Sequence, residues 1–112
     1  MAVHLKPKNA QELLTIDGVQ LFVGQAGIKK PDYNDVTLMV LSPNSRVAGV
    51  FTQNRFCAAP VRVCQELLPS NNIRALVVNT GNANAGTGDD GWNRARAVCA
   101  AVAEQIKCEA YQ

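Results

Sequence analysis

The sequence predicts an α/β fold in which a layered β-sheet packs against an amphipathic helix. Three observations support this class: short apolar segments rich in β-branched residues, a glycine-rich loop after the last of them, and a helical apolar pattern thereafter. The chain has 112 residues, of which 47% are hydrophobic and 18% charged. A chain of this length buries roughly 65% of its unfolded surface, which is enough for one core. We therefore predict a single domain over residues 1–112.

The first predicted strand lies in the segment GVQLFVGQAG. Val19, Leu21 and Val23 alternate there with other side chains before glycines end the segment, which indicates a strand with one apolar face. The next segment, DVTLMVLSPNSRVAGVFT, predicts a hairpin in which residues 36–41 lead into a Ser-Pro-Asn-Ser turn and residues 47–51 return. Local pairing is therefore expected at the start of the sheet.

Two further segments precede the glycine-rich loop. In PVRVCQELL, Val61 and Val63 suggest a strand whereas residues 65–68 suit the start of a helical turn, so both alternatives stay open. The segment IRALVVNT, residues 73–80, is apolar and β-branched without alternation, a pattern typical of a strand covered on both faces. We expect that strand to lie centrally in the sheet.

A helix is predicted after the loop. Asp89 or Asp90 can cap it, because a carboxylate accepts hydrogen bonds from free backbone N–H groups and suits the positive end of the helix dipole. The helix runs to about Lys107 with one apolar stripe facing the sheet, formed by Ala95, Val98, Cys99, Val102 and Ile106. The charged residues expected to remain in solvent are Arg94, Arg96, Glu104 and Lys107. A helix that covers a sheet ordinarily leads into another strand, so we expect the chain to continue beyond KCEAYQ.

Composition argues against several classes of function. Eleven basic and nine acidic residues are spread along the chain without a basic cluster, which disfavours nucleic acid as a partner. The N-terminal segment lacks the apolar core of a signal peptide, and eighteen apolar residues never occur in succession. We therefore expect a cytoplasmic protein without membrane contact.

The histidine and the cysteines do not form a recognisable site. His4, the only histidine, lies in a polar N-terminal segment and does not suit a catalytic pair. The cysteine spacing matches neither a zinc site nor a C-x-x-C motif, so we predict no metal site. In a reducing compartment we expect four unpaired thiols used as small apolar side chains. These are Cys57, Cys64, Cys99 and Cys108.

The segment VVNTGNANAGTGDDG, residues 77–91, is the principal candidate for a functional site. Its asparagines can satisfy their own backbone in successive turns, because asparagine tolerates left-handed backbone angles and caps neighbouring amides. Alternatively, their amides line a cleft at the end of a buried strand, where open α/β sheets bind ligands. The residues alone favour neither interpretation for Asn79, Asn82 and Asn84.

The same segment matches the dinucleotide-binding pattern G-x-G-x-x-G at Gly86, Gly88 and Gly91. In that pattern the first glycine turns directly off the strand, whereas residues 79–85 intervene here. Asp89 and Asp90 would also repel a pyrophosphate at the helix N-terminus. A P-loop requires a lysine where Thr87 stands. A small-molecule or nucleotide-binding module built on residues 81–91 is therefore kept only as an alternative.

Three segments resemble the N-terminal part of the ornithine acetyltransferase family, whose members are also called glutamate N-acetyltransferases. They are GQAGIKK at 24–30, GVFTQNRFCAAPV at 49–61 and LVVNTGNANAGTG at 76–88, and they occur in the family's order. The resemblance extends along the whole chain but covers only the opening part of a family member. It therefore implies an N-terminal segment of the α chain, incomplete within a larger α/β sandwich-like enzyme.

The resemblance implies an enzyme of arginine biosynthesis that cleaves itself into α and β chains. The threonine that begins the β chain takes acetyl from N-acetylornithine and passes it to glutamate, since a covalent ester divides one difficult transfer into two easier steps. Bifunctional members also use acetyl-CoA as an acetyl donor, and no bound cofactor is implied. The implied partners are the remainder of the α chain and the β chain, in a hetero-oligomer.

No catalytic residue of the family can be assigned in this chain. The nucleophile belongs to a Met-Ala-Thr-Met-type motif, which the sequence lacks. The family's oxyanion hole uses a Thr-Gly pair that follows a serine after the long helix, whereas Thr80-Gly81 follows Asn79 and precedes that helix, so it receives no such role. The remaining candidates are Asn82 and Asn84, as residues that shape the substrate cleft. We expect the 112 residues alone to be inactive, and a structural fragment without activity is a further alternative.

Overall fold

The computed structural model describes residues 9–110, so His4 lies outside the described part of the chain. Within that range a three-stranded antiparallel sheet accompanies two α-helices, which confirms the α/β class. The elements are β1 (Val19–Gly24), β2 (Val36–Leu41), α1 (Ala59–Leu67), β3 (Ala75–Asn79) and α2 (Gly88–Ile106), with short 3-10 helices at Ala10–Glu12 and Leu68–Ser70.

β1 confirms the first predicted strand. It pairs antiparallel with β2 along its whole length. Leu21 and Val23 are 66% and 67% exposed. The apolar face that the alternation predicts is therefore present, but the described residues do not cover it.

The predicted hairpin is wrong in its second strand. The turn forms, with the Ser45 N–H donating to the Ser42 carbonyl at 3.3 Å, but residues 47–51 then leave the sheet without regular structure. β3 pairs with β2 along that edge instead. Leu41 N–H donates to the Arg74 carbonyl at 2.8 Å, and Arg74 Nε donates to the Leu41 carbonyl at 3.2 Å. β3 thus takes the edge of β2 that the predicted return strand would have taken.

β3 lies at an edge of the sheet, so the predicted central position is wrong. The strand order is β1-β2-β3, which makes β2 central. Leu76 and Val78 are 46% and 47% exposed, whereas Ala75 and Val77, on the other face, are half-buried. A continuous apolar segment predicts cover on both faces. Among the described residues only the face with Ala75 and Val77 has such cover.

α1 resolves the alternative that the sequence left open, in favour of a helix. Pro60 lies in its first turn, where the missing N–H would have had no intrahelical partner. Ala59 and Val63 are buried, and the helix packs against α2. The two valines that suggested a strand therefore belong to a helix.

α2 confirms the predicted helix, although not its predicted caps. Thr87 is the residue before the helix, and Asp89 and Asp90 lie inside its first turn. The capping prediction is wrong because Gly88, in a left-handed conformation, starts the helix one residue before the first aspartate. Both carboxylates still suit the positive end of the helix dipole. The helix is followed by Lys107 with a φ of 56°, close to the predicted end.

The apolar stripe of α2 packs chiefly on α1 rather than on the sheet. Four of its five predicted members are half-buried, whereas Val98 is 48% exposed. Of the charged residues predicted to remain in solvent, Arg96 is half-buried, with its guanidinium 5.6 Å from the centre of the Trp92 ring. The helix pair supplies the small core, whose buried apolar residues in the described chain are Ala59, Val63 and Ala103.

The four cysteines are free thiols, and each is half-buried. Burial raises the pKa of Cys64 on α1 and, as its largest influence, the pKa of Cys99 on α2. A raised pKa keeps both thiols protonated at neutral pH, so they pack as small apolar side chains.

Candidate functional site

The candidate site lies at the end of the sheet where β1 and β3 finish and β2 begins. Gly24, Val36 and Asn79 are paired side by side at this end. Residues 79–87, here called the asparagine loop, leave β3 at this point and lead into α2. The pairing register of the three strands therefore fixes the position of the candidate site.

Asp35 is buried at this end of the sheet, with a relative exposure of 1%. One carboxylate oxygen accepts from the Ala26 N–H at 2.6 Å, and the other accepts from Ile28 at 2.6 Å and Lys29 at 3.4 Å. The hydrogen bond from Ala26 is the largest influence on the pKa of Asp35, and together with those from Ile28 and Lys29 it lowers that pKa although burial opposes the shift. Asp35 is therefore ionised at neutral pH and fixes the path of residues 24–30.

The backbone of Asp35 joins all three strands at the same point. Its N–H donates to the Gly24 carbonyl at 3.0 Å, and its carbonyl accepts from the Thr80 N–H at 2.9 Å. The end of β1, the start of β2 and the first residue after β3 are thus held by one residue. The sequence analysis did not single out Asp35.

Residues 24–30 contact the asparagine loop at Gly81. This glycine has a φ of 95°, and a Cβ placed on it would lie 2.6 Å from the Lys29 Cβ and 3.2 Å from the Lys29 Cα. Such distances leave no room for a side chain. Gly81 therefore allows the two loops to approach closely, and Asp35 holds the opposing backbone in place.

The segment 49–61 contacts the asparagine loop from its other side. A Cβ on Gly86, which has a φ of 69°, would lie 2.9 Å from the Phe56 ring. The Ala59 N–H donates to the Asn84 carbonyl at 3.3 Å. The three segments that carry the family resemblance are therefore brought together around this loop.

The three asparagines have different environments. Asn84 Nδ2 donates to Asn79 Oδ1 at 3.2 Å, and the Asn84 carbonyl also accepts from Thr87 Oγ1 at 3.3 Å. Asn79 and Asn84 thus bind each other through their side chains, and the Thr87 hydroxyl, rather than an asparagine side chain, binds the loop backbone. Asn82 is exposed, and within residues 9–110 its side chain has no hydrogen-bond partner. The Asn82 amide is thus open to solvent in the described chain.

An open cleft of about 700 Å³ lies along segment 49–61 and one side of α1, and none of its lining residues belongs to the asparagine loop. Its polar lining comes mainly from side chains that donate hydrogen bonds, among them Gln53, Asn54, Arg55, Arg62 and Gln65. Arginine side chains suit carboxylates, which they can bind through two parallel hydrogen bonds. The sequence analysis did not identify this cleft, because its residues follow no periodic pattern. The only signal was the resemblance of segment 49–61.

The glycine pattern that suggested a nucleotide site lies at the start of α2. Gly86 and Gly88 adopt left-handed conformations there, with φ values of 69° and 57°. Asp89 and Asp90 are exposed in the first turn, where they oppose an incoming anion. Within residues 9–110, no group of three His, Cys, Asp or Glu side chains is arranged to hold a metal ion. No helix in this range has the length and hydropathy needed to cross a bilayer.

Comparison with solved structures defines the class of protein first. The fold matches ornithine acetyltransferase complexed with ornithine from Mycobacterium tuberculosis with a TM-score of 0.80 and 35% sequence identity, over 85% of this chain and 52% of that one. It also matches the arginine biosynthesis bifunctional protein ArgJ from Bacillus halodurans with a TM-score of 0.79 and 30% identity, over 85% of this chain and 50% of that one. The fold is thus that of part of an α/β enzyme.

A model of the ArgJ family matches residues 20–112, and the chain belongs to this family. Arginine biosynthesis bifunctional proteins ArgJ from Neisseria gonorrhoeae and Neisseria meningitidis are 53% identical over 113 residues. The alignment covers all of this chain but 28% of each relative. The resemblance to ornithine acetyltransferases is confirmed.

Proposed function

We propose that this chain is the part of an arginine-biosynthesis acetyltransferase that shapes one side of its acetyl-transfer cleft. The intact enzyme moves acetyl from N-acetylornithine to glutamate through an acetyl-threonine, and its bifunctional form also takes acetyl from acetyl-CoA. The observation that carries the proposal is the convergence of segments 24–30 and 49–61 on the asparagine loop. The names of the relatives, which refer to arginine biosynthesis and to ornithine, support the substrate class.

The chain contributes shape and hydrogen bonds, and the rest of the enzyme contributes the nucleophile. Asn84 holds the loop closed through Asn79, and Asn82 presents an unpaired amide beside it. Small residues around both asparagines let a substrate approach the backbone. Neither asparagine transfers a proton, because an amide has no accessible pKa for that role. The remainder of the α chain and the β chain are the partners that complete the site.

Thr80-Gly81 does not serve as an oxyanion hole in this proposal. An oxyanion hole needs N–H groups aimed at the developing negative charge. The Thr80 N–H already donates to the Asp35 carbonyl at 2.9 Å. The structural role of the pair agrees with its sequence context, which differs from that of the family's oxyanion pair.

We also propose a cytoplasmic location for the intact enzyme. Four free cysteines are compatible with a reducing compartment.

Alanine substitutions in the full-length protein test the proposed role of the loop. Asn82→Ala and Asn84→Ala should lower acetyl transfer from N-acetylornithine to glutamate by about 10–100-fold, because misplaced reacting groups lose rate steeply. Self-cleavage should persist. Asn93→Ala, at an exposed position on α2, is the matched control and should leave the rate unchanged. Wild-type activity in both loop variants would show that the asparagines only satisfy their own turn.

Intact-mass measurement of the 112-residue chain gives a second test. Incubation with N-acetylornithine should produce no acetyl adduct, because the chain lacks the threonine that would carry the ester. A stable adduct of one acetyl group would place the nucleophile within this chain and contradict the proposal.

A further inference from the structure

Asp35 is a buried charge next to the asparagine loop. Its relative exposure is 1%, and no other charged side chain within residues 9–110 is buried. No lysine or arginine of the described chain forms an ion pair with it. The carboxylate is balanced instead by the backbone N–H groups of Ala26, Ile28 and Lys29. Burial of a charge without an ion-pair partner is costly for a fold, so packing alone does not account for this residue.

The three N–H groups require both oxygens of the carboxylate. One oxygen accepts from Ala26, and the other accepts from Ile28 and Lys29. An asparagine side chain of the same size has one acceptor oxygen and an NH2 group that can only donate. Asparagine at position 35 would therefore leave at least one of these N–H groups facing a donor. The conformation of residues 24–30 thus depends on the charge of Asp35 and not only on the size of its side chain.

Residues 24–30 in turn determine where the asparagine loop lies. The Lys29 Cβ would be 2.6 Å from a Cβ placed on Gly81, so the two backbones are in close contact at this glycine. The Asp35 carbonyl also accepts from the Thr80 N–H at 2.9 Å. One residue therefore holds the start of the asparagine loop in two ways, directly through its backbone and indirectly through its carboxylate and Lys29. A change in the path of residues 24–30 must displace the loop or open a gap at Gly81.

We propose that Asp35 is a positioning residue for acetyl transfer, which acts through residues 24–30 on the asparagine loop. It is neither an acid nor a base in the reaction, because its carboxylate is buried and both oxygens bind the backbone. The rate of a reaction between bound groups depends steeply on their geometry, so a loop displacement of about 1 Å is enough to lower it. This inference rests on the proposed function, because it requires the asparagine loop to border the acetyl-transfer cleft.

Asp35→Asn in the full-length protein tests the proposal, because it removes the charge and leaves the backbone hydrogen bond to Thr80. Active sites are counted by intact mass, as the protein that carries one acetyl group after complete reaction with N-acetylornithine. The kcat per active site for acetyl transfer to glutamate should fall about 10–100-fold. Asp32→Asn, the same substitution at an exposed position nearby, is the matched control and should leave kcat unchanged. Fewer active sites with an unchanged kcat would overturn the proposal, since Asp35 would then serve folding alone.

Combination with Asn84→Ala tests whether the effect passes through the loop. Once the loop is displaced by Asn84→Ala, the loss of the Asp35 charge should matter less. The kcat of the double variant should therefore be several-fold higher than the product of the two single losses predicts. A loss equal to that product would overturn the proposal, because Asp35 would then act independently of the asparagine loop.

Two changes at Lys29 decide the question if Asp35→Asn gives no active protein. Both Lys29→Gly and Lys29→Ala remove the charge of this exposed residue, but only Lys29→Gly removes the Cβ that lies against Gly81. The kcat should be several-fold lower in Lys29→Gly than in Lys29→Ala, and equal values would overturn the proposal.

The two proposals can fail separately. Wild-type activity in Asn82→Ala and Asn84→Ala would overturn the role of the asparagine loop. Loss of activity in these variants, together with a wild-type kcat in Asp35→Asn, would overturn the role of Asp35 alone.

Discussion

Replacing Gly81 with alanine should loosen the contact between residues 24–30 and the asparagine loop. The left-handed conformation at this position costs about 1–2 kcal/mol for a residue with a Cβ. The new Cβ also meets the Lys29 Cβ at 2.6 Å and the Lys29 Cα at 3.2 Å. Overpacking of this kind adds about 1–3 kcal/mol. The expected total is about 2–5 kcal/mol, because backbone that is tied to Asp35 cannot easily move away.

Gly27 provides a control that separates the cost of a positive φ from the cost of the steric contact with Lys29. It also has a positive φ, of 70°, but a Cβ there would meet no atom within 4 Å. Gly27→Ala should therefore cost only the conformational part, about 1–2 kcal/mol. The difference between the two variants isolates the contact with Lys29.

Native-state hydrogen exchange of the full-length protein measures both effects. Amides in residues 24–30 and in the asparagine loop should exchange roughly 30-fold to several thousand-fold faster in Gly81→Ala, and roughly 5–30-fold faster in Gly27→Ala. Lys29→Gly removes the Cβ that lies nearest to the new methyl group. The double variant Gly81→Ala/Lys29→Gly should therefore be more stable than the sum of the single changes predicts. Equal exchange in the two alanine variants, together with strict additivity, would refute the close approach of the loops.

Two further predictions follow from the titrating groups. Asp35→Asn removes a carboxylate whose pKa lies below its ordinary value of 3.8. The free energy of unfolding of the wild type should therefore exceed that of the variant fully above that value, and the difference should disappear as the pH falls through the lowered pKa. Urea unfolding midpoints measured from about pH 7 to about pH 2 would show this loss. A difference that does not depend on pH would contradict an ionised Asp35. The 112-residue chain, unfolded without reductant directly after purification, should expose four reactive thiols. A count of two or none would reveal disulfides or a bound metal.

The local patterns of the sequence identified most of the elements. β1 and β2 follow from β-branched segments bounded by turn residues, and α2 follows from its helical apolar stripe. The hairpin was mispredicted because the Ser-Pro-Asn-Ser turn fixes a reversal of the chain but not the partner of β2. That partner, β3, comes from a distant segment, and pairing of distant segments leaves no local signal. The continuous apolar pattern of β3 was interpreted as a central position, whereas β3 lies at an edge of the described sheet with Leu76 and Val78 exposed.

In the candidate site, too, local sequence patterns predicted one feature and missed another that depends on contacts between distant segments. The asparagine loop was identified because its composition is unusual. Asp35 was missed because PDYND contains two aspartates that sequence patterns cannot distinguish. Asp32 is exposed with a φ of 60°, whereas Asp35 is buried and accepts three backbone hydrogen bonds. Only the folded path of residues 24–30 separates the two.

The hydrogen bonds of Asp35 also favour an order of assembly. Its carboxylate binds amides six to nine residues earlier in the chain, so the loop that it closes is short and loses little entropy on closure. β1, this loop and β2 therefore form a unit of low contact order, which is the kind of unit that folds early. The Asp35 carbonyl, in contrast, accepts its hydrogen bond from the Thr80 N–H, which belongs to a distant segment of the chain. We therefore expect Asp35 to be in place before β3 pairs with β2, and we expect that later pairing to bring the asparagine loop into position.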